Sequence, residues 1–235
     1  SNFTNPHGLH DENHYTCARD MALIGRELFR HPEFFNIVQT LNYTIPASDT
    51  TEEHIFQQKH KMLKEGNAYY YEYAVGGKTG YTDQALSTLV TMADNRDMQL
   101  VCVVLKTHGA NVYPDTRNLL EYGFANFSKV LPAANEKSED VAEILDEQNI
   151  VAPVGVEFKD LDLEIVPDEE TGDEGLLEYS YKGIPVGTVR AVLSQTYLEK
   201  QLEAKEKAQK ESEDGDKKSG KKKTDASENR QILKK

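Results

Sequence analysis

Apolar residues recur at helical spacing over residues 18–28, where Ala18, Met21, Ala22, Ile24, Gly25 and Leu28 form one stripe. Thr16 is the expected N-cap, Asp20 favours the first turn, and Pro32 breaks the helix after about Phe29. Residues 33–39 predict a second short helix, 41–46 a strand and the polar stretch 48–53 a loop. The aromatic block Tyr69-Tyr70-Tyr71-Glu72-Tyr73 reads as strand packing and leads through Gly76-Gly77 into a strand around Lys78. Two further β-rich runs, 85–93 and 98–105, flank a turn at Asp94-Asn95-Arg96-Asp97, so the pattern predicts a three-stranded antiparallel meander. An amphipathic helix over 113–127 follows, with Leu119, Leu120, Phe124 and Phe127 on one face.

The pattern changes near Pro132. Short β-rich runs at 150–158, 161–166, 176–181 and 184–193 are separated by turn signals, of which 167–172 and Lys182-Gly183 are the clearest. The acidic stretch 136–147 reads as a solvated helix face. From Tyr197 the chain is rich in Glu, Lys, Gln and Ala, then in Gly, Ser, Asp and Lys: helix-prone at first and disordered after that. The expected organisation is an α/β (α+β) domain over 1–131, a small all-β domain over 139–196 and a charged disordered tail over 197–235.

Charge and cysteine usage narrow the function. A net charge of −13 over 235 residues argues against a nucleic-acid partner, which needs a basic surface. The two cysteines, Cys17 and Cys102, lack metal-ligand spacing and read as buried free thiols. No run of 18 apolar residues is present, and no signal peptide is visible. The chain opens on Ser1 in what reads as mid-domain sequence, so the expectation is a fragment or a processed product.

The chemistry-bearing motif is Lys78-Thr79-Gly80, set in Gly76-Gly77-Lys78-Thr79-Gly80-Tyr81-Thr82. A phosphate loop would need glycine where Glu72 stands, and the bulky Tyr71 and Tyr73 beside it obstruct backbone amides. On a strand, Lys78 and Gly80 face one way and Thr79 the other. Lys78 then offers positive charge to a carboxylate or a developing oxyanion, Gly80 leaves room for substrate backbone, and the Tyr81 amide can donate to an oxyanion. His7, His10 and His14 invite a metal reading, but Pro6 and Gly8 make their segment a loop and no fourth ligand stands out; no metal and no cofactor are expected.

Four segments in order, Asn5-Pro6-His7-Gly8-Leu9, Ala18-Arg19-Asp20-Met21-Ala22, Gly77-Lys78-Thr79-Gly80-Tyr81-Thr82 and Glu121-Tyr122-Gly123-Phe124, resemble the landmarks of the D-alanyl-D-alanine carboxypeptidases, the low-molecular-mass penicillin-binding proteins of the S11 peptidase family. The resemblance covers about residues 1–130 and, more weakly, the family's β-rich C-terminal domain at 139–195. It implies a partial transpeptidase/β-lactamase-like fold, antiparallel sheet with flanking helices, and a serine hydrolase that trims peptidoglycan stem pentapeptides through an acyl-enzyme and is trapped by β-lactams. By that likeness Lys78 and Thr79 engage the substrate's terminal carboxylate, Lys78 also assists proton transfer, the Tyr81 amide supplies half of the oxyanion hole, and His7 borders the site.

One departure qualifies this. The family's nucleophilic Ser-x-x-Lys and its Ser-x-Asn precede the Asn-Pro-His-Gly-Leu segment, and this sequence starts after both. Its only Ser-x-x-Lys, Ser219-Gly220-Lys221-Lys222, lies in the lysine-rich tail. The expectation is therefore a part of an enzyme, inactive alone. A non-catalytic peptidoglycan-binding or scaffolding relative is the alternative, and a β-lactamase a third reading. The family implies an extracytoplasmic address at the outer face of the bacterial cytoplasmic membrane. The lysine clusters of the tail, or an anchor beyond Lys235, would give peripheral membrane association.

Overall fold

A computed structural model describes residues 1–207. The chain divides into two compact units between Lys129 and Val130.

The first unit is organised around the expected meander. Strands β3 (Ala74–Thr82), β4 (Leu86–Asp94) and β5 (Gln99–Thr107) form an antiparallel sheet in that order, leaving β3 and β5 as edges. A helix covers each face. In α1 (Ala18–Leu28), Gly25 packs against Val101; in α3 (Val112–Asn126), Gly123 packs against Leu100. Consecutive strand residues point to opposite faces, so α1 and α3 lie on opposite sides of the sheet. The larger core is on the α3 side, where Met62, Tyr71, Leu89, Cys102, Val104 and Leu120 are buried together.

Several local expectations change. The N-cap of α1 is Cys17, without a side-chain cap bond, because the Thr16 hydroxyl is engaged by Ser1 at 2.8 Å. Cys17 is exposed, contrary to the expectation of two buried thiols; Cys102 is buried, and burial pushes its thiol up to about 11. Leu119 is turned outward, and Val112, Tyr113, Thr116 and Leu120 form the buried face of α3. The tyrosine block is a series of turns instead of a strand: Tyr71 is buried under the Arg117 guanidinium, 4.9 Å from the ring centroid. The strand at 41–46 is β1 (Asn42–Ile45), after the short helix α2 (Pro32–Val38). It pairs with an unforeseen β2 (His54–Gln57), a four-residue segment too short, and without the alternation, to signal a strand.

One buried contact holds β3 in place. His60 is fully buried; its Nε2 lies 2.9 Å from Thr91 Oγ1 of β4, and its Nδ1 has no partner among the described residues. The ring lies against Gly77, whose φ is +147°. A Cβ at Gly77 would stand 2.1 Å from the Val90 carbonyl oxygen and 2.9 Å from the imidazole. Only glycine fits there.

The short strand β6 (Phe127–Val130) runs up to the boundary, and in the second unit a single helical turn, α4 (Pro132–Asn135), begins the fold. Four strands form an antiparallel sheet in the order β7 (Val141–Ile144), β11 (Ile184–Leu193), β10 (Glu174–Tyr181), β9 (Asp162–Pro167). The expected acidic helix at 136–147 is thus corrected to irregular chain around the four-residue strand β7, whose Val141 and Ile144 pack on the core formed by Leu177, Tyr179, Val189 and Ala191. The run at 150–158 shortens to β8 (Ile150–Pro153), ended by a turn at Gly155 with φ +85°. The helix-prone start of the expected tail is a helix. Residues 195–207 are helical, and Tyr197 and Leu198 dock on the same core. The rest of that expected tail, including the Ser219–Lys222 motif, lies outside the described residues.

Two outcomes follow from the His60–Gly77 contact. Burial holds His60 at about 4, below its ordinary 6.5. The unfolded chain therefore takes up the proton first. Stability is complete above about pH 6.5 and falls as the pH drops toward 4, by about 3 kcal/mol in all. Urea midpoints measured between pH 4 and 7 should show that slope, and His60→Gln should flatten it. Gly77→Ala should destabilise the unit by about 3 kcal/mol, read as a lowered Tm, because the clash is with backbone and cannot be relieved by a rotamer change.

Candidate functional site

Lys78, Thr79, Gly80 and Tyr81 occupy the second half of β3, opposite Val90, Leu89, Thr88 and Ser87 of β4. Because β3 is an edge strand, half of its backbone N–H and C=O groups face away from the sheet, where side chains or a ligand can pair with them. The strand is anchored at its start from the other direction. Gly76 packs against Val38 and Phe35 of α2, and Gln39 Nε2 donates to the Val75 carbonyl at 2.8 Å. At its end, Thr82 Oγ1 accepts the Ala85 amide at 2.9 Å and closes the turn into β4.

Two cavities lie along this strand. The first, about 620 Å³, is lined by Gly77, Lys78 and Thr79 together with apolar side chains that include Ile37, Tyr43 and Phe56. The second, about 340 Å³, is lined by Thr79, Gly80 and Tyr81 and by Thr88 and Tyr113 across from them. Thr79 and Lys59 line both, so the two cavities adjoin and border the motif as a groove. The Lys78 side chain is exposed and folds back, with Nζ donating to the Thr79 carbonyl at 2.6 Å. Thr79 is half-buried. The Tyr81 hydroxyl donates to Asp83 at 3.2 Å, an interaction that raises its pKa. The Tyr81 ring is exposed, so its side chain does not cover the strand.

Four of the five sequence-predicted residues are therefore brought together. The fifth, His7, is on the first loop, where its Nδ1 accepts the Leu9 amide at 3.1 Å, and it lines neither cavity. No group of three or more His, Cys, Asp or Glu side chains suited to a metal occurs among the described residues. A larger cavity of about 720 Å³ lies in the second unit, beside Glu136 and Tyr179. Both carboxylates that line it are engaged: Glu136 accepts the Lys137 and Ser138 amides and the Tyr179 hydroxyl, and Glu157 pairs with Lys159.

Sequence reasoning overlooked three residues of the site. Lys59 and Lys61 are exposed on the groove while His60 and Met62 are buried between and beside them. This strict alternation over 59–62 was the available signal. The support of Gly77 by His60 had none, because the two come together only through the fold.

A family model described as D-alanyl-D-alanine carboxypeptidase (peptidase S11) matches residues 1–109. The chain is 37% identical over 148 residues to D-alanyl-D-alanine carboxypeptidase DacA of Haemophilus influenzae, covering 59% of this chain and 34% of that protein. It is 30% identical over 138 residues to DacA of Escherichia coli K12, covering 56% of this chain and 31% of that one. It thus spans about a third of the length of these relatives. Among solved structures, the D-alanyl-D-alanine carboxypeptidase DacD of Francisella tularensis aligns with a TM-score of 0.54 at 19% identity, over 82% of this chain and 63% of that one. A peptidoglycan synthesis regulatory factor (PBP3) of Streptococcus pneumoniae aligns at 0.55 and 21%, over 80% and 58%. These two likenesses show the fold: mixed α/β, antiparallel sheets with flanking helices. The motif on an edge strand lies within residues 1–109, the stretch that matches the D-alanyl-D-alanine carboxypeptidase (S11 peptidase) family model and is similar to these relatives.

Proposed function

We propose that this chain forms the Lys-Thr-Gly wall of a serine-type D-Ala-D-Ala carboxypeptidase that trims peptidoglycan stem pentapeptides. The observation that carries this reading is the placement of Lys78, Thr79 and Gly80 on a free strand edge bordered by a groove. An extended peptide adds to such an edge by backbone hydrogen bonds. Its terminal carboxylate is then within reach of the Lys78 ammonium and the Thr79 hydroxyl, and Gly80 allows its backbone to approach. When the scissile carbonyl is attacked, the negative charge that develops on its oxygen is stabilised by the Tyr81 amide. Lys78 must leave the Thr79 carbonyl to serve this site, an exchange of one hydrogen bond for a charge-assisted one.

The nucleophile in this reading is a serine outside these 235 residues, so the chain alone performs no acyl transfer. β-Lactams, as mimics of the substrate, are the expected inhibitors. The setting is extracytoplasmic, at the outer face of the bacterial cytoplasmic membrane, with peripheral association through the lysine-rich tail or a further segment. No helix among the described residues is long and apolar enough to cross a membrane.

Intact-mass measurement with benzylpenicillin tests the proposal. This chain alone is expected to show no adduct, whereas a longer form carrying an upstream Ser-x-x-Lys is expected to gain one penicillin on that serine. Lys78→Ala in the longer form should slow acylation by about 100-fold, the loss typical of one preorganised charge or proton-transfer group. Absence of an adduct on both forms would favour a non-catalytic peptidoglycan-binding role.

A further inference from the structure

The groove along β3 carries more positive charge than a single terminal carboxylate requires. Three lysines, Lys59, Lys61 and Lys78, line its two adjoining cavities, and no aspartate or glutamate does. This occurs in a chain with 40 acidic and 27 basic residues. Elsewhere the lysines of ion pairs find carboxylates, as Lys159 does with Glu157 and Lys200 with Asp140. Among the described residues, none of the three groove lysines is in an ion pair. Like charges collected on one strand edge repel one another, and a bound anion relieves that repulsion.

Their placement is not uniform. Lys78 belongs to the cavity at Gly77–Thr79, Lys61 to the cavity at Thr79–Tyr81, and Lys59 to both. Lys61 is held there: its Nζ lies 5.5 Å from the ring centroid of Tyr69 and 5.6 Å from that of Tyr113, and the two rings stack at 4.7 Å. Such contacts with aromatic faces localise an ammonium while leaving its donors available. Burial of His60 and Met62 fixes the backbone between and beside the two lysines where the chain enters the 3-10 turn Lys61–Leu63, and both lysines line the groove.

We propose that the groove selects peptides bearing two carboxylates. The terminal one sits at Lys78 and Thr79, and a second, free carboxylate from an upstream residue of the peptide is bound by Lys59 and Lys61. The proposal rests on the carboxypeptidase reading above and refines it. Lys59 and Lys61 are substrate-binding residues that set which stem peptide is preferred: one with an acidic upstream side chain over one in which that group is amidated or basic.

Calorimetric titration of the full chain tests this with three synthetic peptides ending in D-Ala-D-Ala. The first has a free upstream carboxylate, the second has that group as its amide, and the third keeps it but ends in D-alaninamide. The first should bind about fivefold more tightly than the second at low salt, as an exposed charge pair allows. The advantage should shrink at 0.5 M NaCl and disappear in the Lys59→Gln/Lys61→Gln variant, whose circular dichroism should match the parent. Equal binding of the first two peptides, with loss of the third, would overturn the second carboxylate site and leave the carboxypeptidase reading intact. A persistent advantage in the double variant would equally overturn it. Binding of none of the three would remove both.

Discussion

The close approach of β3 to His60 and to the Val90 carbonyl is the constraint on which the site depends. A glycine at 77, at φ +147°, lets a main chain pass where any side chain would strike backbone. The imidazole beneath it is neutral because it is buried, and it is tied to β4 through Thr91. The position of Lys78, one residue along, is inherited from that contact. So is the direction of Thr79 and the alignment of the Tyr81 amide. A functional strand at the edge of a sheet has only one neighbour to hold it, and here a buried side chain from a preceding turn supplies the second support.

That same turn contributes both to the core and to the groove. His60 and Met62 point into the protein, and Lys59 and Lys61 point out along the groove. The two inward residues are part of what locks the sheet to α3; the two outward ones give the groove its charge. A substitution that loosens the inward pair would therefore misplace the outward pair as well, although among the described residues neither lysine pairs with a carboxylate.

Much of the first unit was legible because its strands are long and apolar and its helices keep a clear period. The meander, α1 and α3 were all visible at once, and so was the Lys-Thr-Gly motif. What escaped had short elements or contrary composition. β2 has four exposed residues and no alternation to mark it. The Glu136–Glu147 stretch is acidic enough to suggest a solvated helix, yet two apolar positions, Val141 and Ile144, suffice to bind it to the sheet through β11. Tyr197 and Leu198 do the same for the helix at 195–207, whose composition alone says little about docking. In the site, Lys78 to Tyr81 were legible as a contiguous motif. Lys59, Lys61 and His60 are separated from it by 16 residues or more and join it only in three dimensions.

The contrast between the two cysteines has a practical consequence. Cys17 stands exposed at the start of α1, and Cys102 is enclosed between β5 and α3 with its thiol held protonated. A thiol-reactive probe applied to the native protein thus meets a single address. Dye, spin label or crosslinker placed at Cys17 would report from the helix opposite α3, and the core cysteine would become reactive only when the sheet itself opens.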